Sequence, residues 1–323
     1  MSRVQVGYHA SHEQFPPSAL LRMVRKAEGV GFRAALNSDH FHPWTEAQGQ
    51  SGFAWSFMGA ALATTQLSLG VVNAPGQRYH PAIIAQALGT LAEMFPGRVW
   101  AALGSGQLLN EAITGQGWPT KEQRNARLRE CVDILRALFR GETVTHRGLV
   151  TVEEAKLYTR PKEPPLLVGA AITAKTAEWV GSWADGLITI SQPPEALRQV
   201  VEAFRRGGGE GKPMFLKVQV SYAADEAAAR SGALEQWGSN IFPSSVLTDL
   251  RGPSQFAEAA NTVRAQDLDR AVRISSSLQR HLDWLGEDAR LGFDRLYLHN
   301  VNREQDAFIE AFGEKVLPAL SRA

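Results

Sequence analysis

An α/β fold of the TIM-like (β/α)8 barrel class, carrying insertions, is predicted by three features of this sequence. Eight short apolar runs alternate with longer segments of helical period over 323 residues, the number of alternations a closed parallel barrel needs. Capping residues and Pro/Gly stops fall at the joins between those segments. No internal repeat or low-complexity linker interrupts the chain, so one domain over residues 1–323 is expected. Periodicity does not reveal closure, and a doubly wound open sheet is the alternative.

Val4–Tyr8 reads as the first strand, followed by a helix over Pro17–Val30 with Leu20, Leu21, Val24 and Ala27 on one face. Ala34–Ser38 is the second strand; a polar, Trp-bearing loop leads to a helix at Ala54–Thr64. After a third strand, Leu67–Val72, comes the clearest helix, Pro81–Phe95. Proline suits its first turn, Ile83, Ile84, Ala87, Leu88 and Leu91 form its stripe, and Pro96-Gly97 ends it. Val99–Leu103 is the fourth strand. A Gly-rich insertion at 104–119 follows, and Thr120 with Gln123 forms a capping-box pattern opening a helix to Phe139. A polar β excursion, Thr143–Val152, lies in a second insertion at 143–163. The fifth strand is Leu166–Gly169, then a helix at Ala174–Trp183, the sixth strand Leu187–Ile190, a helix at Glu195–Arg206 and the seventh strand Phe215–Ser221. Asp225–Gln236 is helical, 238–267 is a third insertion with its own short helix, Arg295–His299 is the eighth strand and Gln305–Leu320 the closing helix.

Composition narrows the function classes. With 44% hydrophobic and 21% charged residues the chain is of ordinary globular make-up, and its net charge of +1 with both signs interspersed suggests neither nucleic acid nor an anionic membrane as partner. The single cysteine, Cys131, forms no intramolecular bridge, which suits a reducing cytosol. The start, MSRVQVGYHASHEQF, lacks the apolar core of a signal peptide, and no apolar run approaches the roughly 18–20 residues of a membrane helix. A cytoplasmic protein acting on a small molecule is expected.

Barrel active sites lie at the C-terminal ends of the strands, which selects His9 and Ser11, then Asp39, His40, His42 and Trp44, then Asn73. It also selects Gly104-Ser105-Gly106 with Gln107 and Asn110, then Gly169–Thr173, Ser191 and Gln192, and His299 with Asn300. The densest cluster, Asp39-His40-Phe41-His42-Pro43-Trp44, has three readings. Imidazoles and a carboxylate can ligate metal, but neighbours on an extended segment point apart and no H-E-x-x-H pair exists, so no metal is assigned. His40 titrates near neutrality and suits proton transfer. A polar loop with Trp44 as a packed lid is the third reading. Gly104-x-Gly106 permits close backbone approach to a ring or phosphate, or is simply a turn. Small residues leading into a helix capped by Thr173 can hold a phosphate at its free N–H groups, or merely pack strand against helix.

Five ordered segments, GYHASHEQF, NSDHFHPW, PGQRYHPAIIAQ, GSGQLLNE and ADGLITIS, together resemble the luciferase-like monooxygenase superfamily of flavin oxidoreductases. The likeness extends nearly over the full length and falls near the branch of deazaflavin-dependent sugar-phosphate dehydrogenases, closest to a subgroup of probable oxidoreductases using ordinary flavin. It implies a bacterial luciferase-like barrel, FMN as cofactor with the deazaflavin coenzyme as the alternative, NADH or NADPH as an electron donor, reduction or monooxygenation as the chemistry, and a homodimer. The two cofactors share ring and ribityl chain; the deazaflavin's polyglutamate tail favours basic groups near the pocket mouth. A non-catalytic flavin-binding protein is a further alternative.

By position, the resemblance makes Asp39 a contact of the ring or ribityl chain, expected at an exposed rim, His40 the base or proton relay, and Trp44 a wall of the substrate pocket. It places a non-proline cis peptide near Val71, Val72 and Asn73, with Val72 and Asn73 behind the ring, and makes Asn110 a cofactor contact. Gly169, Ala170, Ala171 and Thr173, with Ile190 and Ser191, match the phosphate region. Two departures stand out. Gln107 occupies the place of a catalytic glutamate, and a neutral amide cannot deliver a proton, so the acid partner of His40 is missing. Pro193 stands where the sugar-phosphate enzymes carry a lysine, which argues against a sugar phosphate, although Arg273 matches an arginine of that anion site.

Overall fold

The computed structural model describes residues 4–320. Strands β1 (Gln5–Ala10), β2 (Ala34–Ser38), β3 (Ser68–Asn73) and β4 (Val99–Leu103) follow one another in parallel, joined by helices α1 (Pro17–Gly29), α2 (Ala54–Thr64) and α3 (Pro81–Met94). Past β4 come the one-turn α4 (Leu108–Glu111), the long α5 (Lys121–Arg140) and an antiparallel hairpin of β5 (Val144–Arg147) and β6 (Thr151–Ala155). The barrel resumes with β7 (Leu166–Ala170), α6 (Ala174–Gly181), β8 (Leu187–Ile190), α7 (Pro194–Phe204) and β9 (Met214–Ser221). Next are α8 (Glu226–Trp237), α9 (Ser244–Leu247), α10 (Pro253–Ala260), the two-residue β10 (Arg273–Ile274), α11 (Leu278–Arg290), β11 (Arg295–Asn300), α12 (Gln305–Ala311) and α13 (Leu317–Leu320).

Closure is explicit in the pairing. β1 lies between β2 and β11, β9 between β8 and β11, and β4 pairs with β7, so eight parallel strands form an unbroken ring with β10 appended to β9. The open-sheet alternative is therefore excluded. Inside the ring Trp100, Phe215 and Tyr297 pack with Leu36, Val168 and Ile188 and fill the lower barrel. Two glycines make this possible: a Cβ on Gly7 would lie 2.5 Å from the Tyr297 ring and one on Gly70 would lie 2.1 Å from Trp100. Outside, α1, α2, α3 and α5 bury their apolar stripes against the strands in the main core, a burial worth roughly 1.5–3 kcal/mol per large side chain. The Thr120–Gln123 capping box forms as expected, with Gln123 N–H donating to Thr120 Oγ1 and Thr120 N–H to Gln123 Oε1.

Three features depart from the sequence reading. Helix α11 was not expected, because two of its three buried residues are His281 and Asp288, which leave only Leu285 to signal an apolar stripe. The closing helix is interrupted by a π-turn at Phe312–Val316, where Gly313 is pressed so close to Val30 that a Cβ would sit 2.5 Å away. The expected cis peptide near Val71–Asn73 is corrected: all peptide bonds among the described residues are trans. Strand β3 runs in unbroken register as far as Asn73 opposite Leu103, so no bulge forms there.

Candidate functional site

The C-terminal strand ends open into a cavity of about 1450 Å³. That exceeds the roughly 300–1,000 Å³ of an ordinary ligand pocket, and gives room for a cofactor and a substrate together. Its walls include His40 and Trp44 from the loop after β2, Val72 and Asn73 from β3, and Gln107 and Asn110 around α4. Opposite them lie Ala170, Ala171 and Thr173 after β7, with Ile190 and Ser191 at the end of β8. Residues singled out in separate parts of the sequence thus converge on one space.

His40 faces the cavity from the loop after β2. Its Nδ1 lies 3.4 Å from Glu13 Oε1, and its ring centroid is 4.7 Å from that of Trp44. Burial holds the imidazole below its ordinary value, although the Glu13 carboxylate pulls the other way. Neutral at pH 7, it is in the form that accepts a proton. Glu13 is itself buried; its Oε2 accepts from Ser38 Oγ at 2.6 Å and Ser11 Oγ at 2.9 Å. Desolvation pushes its pKa up, but His40, the Ser38 bond and Lys217 outweigh it, and the carboxyl stays below its usual range. Glu13, from the loop after β1, thus sets an ionised carboxylate beside His40 and does not replace the proton donor absent at Gln107. Gln107 lines the cavity, its amide making no protein hydrogen bond among the described residues.

Asp39 lines the cavity as expected but is not at an exposed rim: it is 4% exposed and hydrogen-bonded through both carboxylate oxygens. Its Oδ2 accepts from Asn73 Nδ2 at 2.7 Å and its Oδ1 from Tyr79 OH at 3.0 Å, while Arg78 Nη2 bonds its carbonyl at 2.8 Å and faces Oδ2 at 3.4 Å. The same Arg78 spans to Glu111, Nε to Oε1 at 3.6 Å, and its backbone N–H donates to Oε2 at 2.7 Å. One buried cation thus holds two buried carboxylates. Asn110 also has a structural duty: its Oδ1 accepts the Phe41 N–H at 2.9 Å and pins the 39–44 loop, as does His42 Nδ1 against the Leu109 carbonyl at 2.8 Å.

On the far wall the strand-to-helix reading of Gly169 wins. A Cβ there would lie 2.3 Å from Val180, so the glycine packs β7 against α6 and does not itself line the cavity. The residues after it do line it, and Thr173 Oγ1 accepts from Thr176 N–H, leaving the first N–H groups of α6 facing that wall. Buried Thr189 Oγ1 lines the same space with no hydrogen-bond partner. Ser191 donates to Gln219 Oε1 at 2.6 Å. The outer rim carries exposed Lys121, Lys175 and Arg270 against Glu122 and Asp249.

Arg273 is corrected as a substrate residue. Its guanidinium forms a two-pronged ion pair with buried Asp288, one bond of which is 2.8 Å, and it stands outside the cavity wall; β10 turns it toward α11. His42, Ser11 and Asn300 likewise support loops and do not line the site. Sequence reasoning missed Glu13, Arg78 and Lys217. The signal for Lys217 was legible: β9 alternates Phe215, Lys217 and Gln219 toward the barrel interior, and a lysine at an inward position of an apolar strand is an anomaly.

The family model of luciferase-like monooxygenases matches residues 1–295. Among curated relatives, an F420-dependent glucose-6-phosphate dehydrogenase of Beutenbergia cavernae is 32% identical over 328 residues, covering 98% of this chain and 97% of that one. A protein of the same name from Nakamurella multipartita is 33% identical over 330 residues, covering 98% and 96%. Among solved structures, an F420-dependent secondary alcohol dehydrogenase in complex with an F420-acetone adduct superposes with a TM-score of 0.91 at 29% identity, over 98% of this chain and 99% of that one.

Proposed function

Since the chain belongs to the luciferase-like monooxygenase family of oxidoreductases, we propose that it is a dehydrogenase or reductase using the deazaflavin coenzyme F420 on a small alcohol or carbonyl compound. The observation that carries this is the pairing of neutral His40 with buried Glu13 at the edge of a cavity large enough for two ligands. The relatives named above favour F420 over the FMN reading. So does the rim, where three exposed cations face two acids, a balance that suits a polyanionic tail.

The wall fits the coenzyme. Gly104, Gly106, Ala170 and Ala171 leave a shallow cradle free of bulky side chains, and Thr189 Oγ1 and the first N–H groups of α6 offer unpaired donors there. Bound in the cavity, the coenzyme supplies the hydride acceptor for oxidation of a carbinol carbon, or the donor for the reverse. The chain moves the proton. Glu13 Oε1 faces His40 Nδ1 at 3.4 Å, leaving the other ring nitrogen to take the hydroxyl proton as the carbonyl forms, and to return it in reduction. Trp44 and Trp237 close the space on one side and exclude water.

Titration of the purified protein with F420 and with FMN tests the cofactor. Fluorescence quenching of F420 at micromolar concentration, with weaker or no FMN binding, is expected; tight FMN binding without F420 binding would return the assignment to ordinary flavin. Glu13→Gln tests the proton relay. The carboxylate favours the imidazolium, so its loss lowers the His40 pKa further. The acid limb of the pH–rate profile then moves to lower pH while kcat falls. A limb that stays in place would uncouple Glu13 from His40.

A further inference from the structure

We propose that Lys217 selects the substrate by pairing with a carboxylate, so that the molecule processed at His40 is a small hydroxy acid or its oxo-acid counterpart. This rests on the dehydrogenase reading and narrows it.

Lys217 lies midway along β9, between Phe215, which plugs the barrel, and Gln219, which lines the cavity, so its side chain rises into the floor of the chamber. Its ammonium is 5.0 Å from the centroid of the Trp237 ring. No carboxylate of the described residues comes within ion-pair distance of it, although all the other close charge pairs of the site are formed. Around it stand His9 and His299, whose rings are 4.5 Å apart, with Nδ1 of each buried and unpartnered. Burial holds both imidazoles well below their ordinary values, so they are neutral. Glu13, the ionised acid that acts on it, is held by Ser11 and Ser38 and lies beyond ion-pair distance of the ammonium.

A partly buried ammonium with no direct ion-pair partner is costly to keep, and an anion brought in by the ligand would add the charge-assisted hydrogen bonds it lacks. A single lysine facing neutral histidines matches one negative charge. A phosphate dianion would leave a charge uncompensated beside Glu13, because the other cations of the cavity are engaged elsewhere or exposed at the rim: Arg78 lies between Asp39 and Glu111, and Arg124 lies over Trp118 and against the Pro119 carbonyl. Trp44, Trp237 and Ile241 line the space with apolar surface that suits a short carbon chain.

The test compares 4-oxopentanoate with 2-pentanone, which has the same number of carbons and no charge, by isothermal titration of the wild-type protein with and without saturating F420. The acid is expected to bind at least about tenfold more tightly. Lys217→Met erases that preference without changing F420 affinity, and Lys217→Arg retains part of it. Wild-type protein gives a second check that needs no variant. Burial brings the Lys217 pKa down to about 8. The groups facing it are Glu13, ionised, and His9, His299 and His40, neutral, none of which changes charge above neutral pH. Affinity for 4-oxopentanoate therefore falls as pH rises through about 8, while affinity for 2-pentanone stays level. Equal binding of acid and ketone, or a preference that survives Lys217→Met, overturns the inference. Failure to bind F420 with the acid preference intact would instead sink the cofactor assignment alone.

Discussion

His40→Ala is expected to lower kcat/KM for F420-coupled oxidation or reduction by about 10²–10⁴-fold, the usual contribution of a positioned general base. F420 affinity should survive, because His40 makes no hydrogen bond on which another wall residue depends; its Nδ1 meets only Glu13, at 3.4 Å. Stability should change little for the same reason. With the imidazole gone, Glu13 is the remaining proton acceptor on that side of the cavity, so the residual rate should follow Glu13 and decline toward acid pH. Added imidazole, small enough to enter the vacated space beside Trp44, should restore part of the rate. Equal turnover by wild type and variant would reduce His40 to scaffolding and leave the chemistry without a base.

Arg78→Met acts on the framework instead. The guanidinium is buried between Asp39 and Glu111, with side chains 7%, 1% and 2% exposed, so its loss strands two carboxylates. Removing one partner from such a site typically costs about 3–5 kcal/mol, measurable by urea denaturation. The sign of the pH dependence follows from Glu111. Burial already raises its carboxyl above the ordinary value, with Arg78 and Arg127 opposing. Without Arg78 it rises further. A raised acid binds its proton more readily folded than unfolded, so the variant gains stability on acidification until the unfolded carboxylates also protonate. The deficit relative to wild type should therefore be smaller at mildly acidic pH than at neutral pH. Adding Glu111→Gln should recover part of the loss at neutral pH. A variant as stable as wild type at both pH values would show that water reaches these carboxylates and that Arg78 is no keystone.

The barrel was legible because alternation of short apolar strands with amphipathic helices is a local property. Pro81, the Thr120–Gln123 box and the strand ends at Ser38 and Leu103 came from neighbouring residues alone. Much of the cavity wall was legible too, since a barrel's strand polarity decides which residues face its upper rim. His40, Trp44, Asn73, Gln107 and Thr173 were found this way and do line one cavity.

What only the tertiary structure decided are relations between distant positions. Whether the sheet closes depends on β8 meeting β9 and β11 meeting β1, which no local pattern encodes. Glu13 became the partner of His40 because β1 and β2 run side by side and bring their following loops together. Asp39 changed from rim residue to buried anchor because Arg78, Asn73 and Tyr79 close on it from β3 and the loop beyond. Arg273 was claimed by Asp288 across β10 and α11. Periodicity reports which face of an element is apolar; charge pairing is settled by which elements become neighbours, and that is a property of the closed ring.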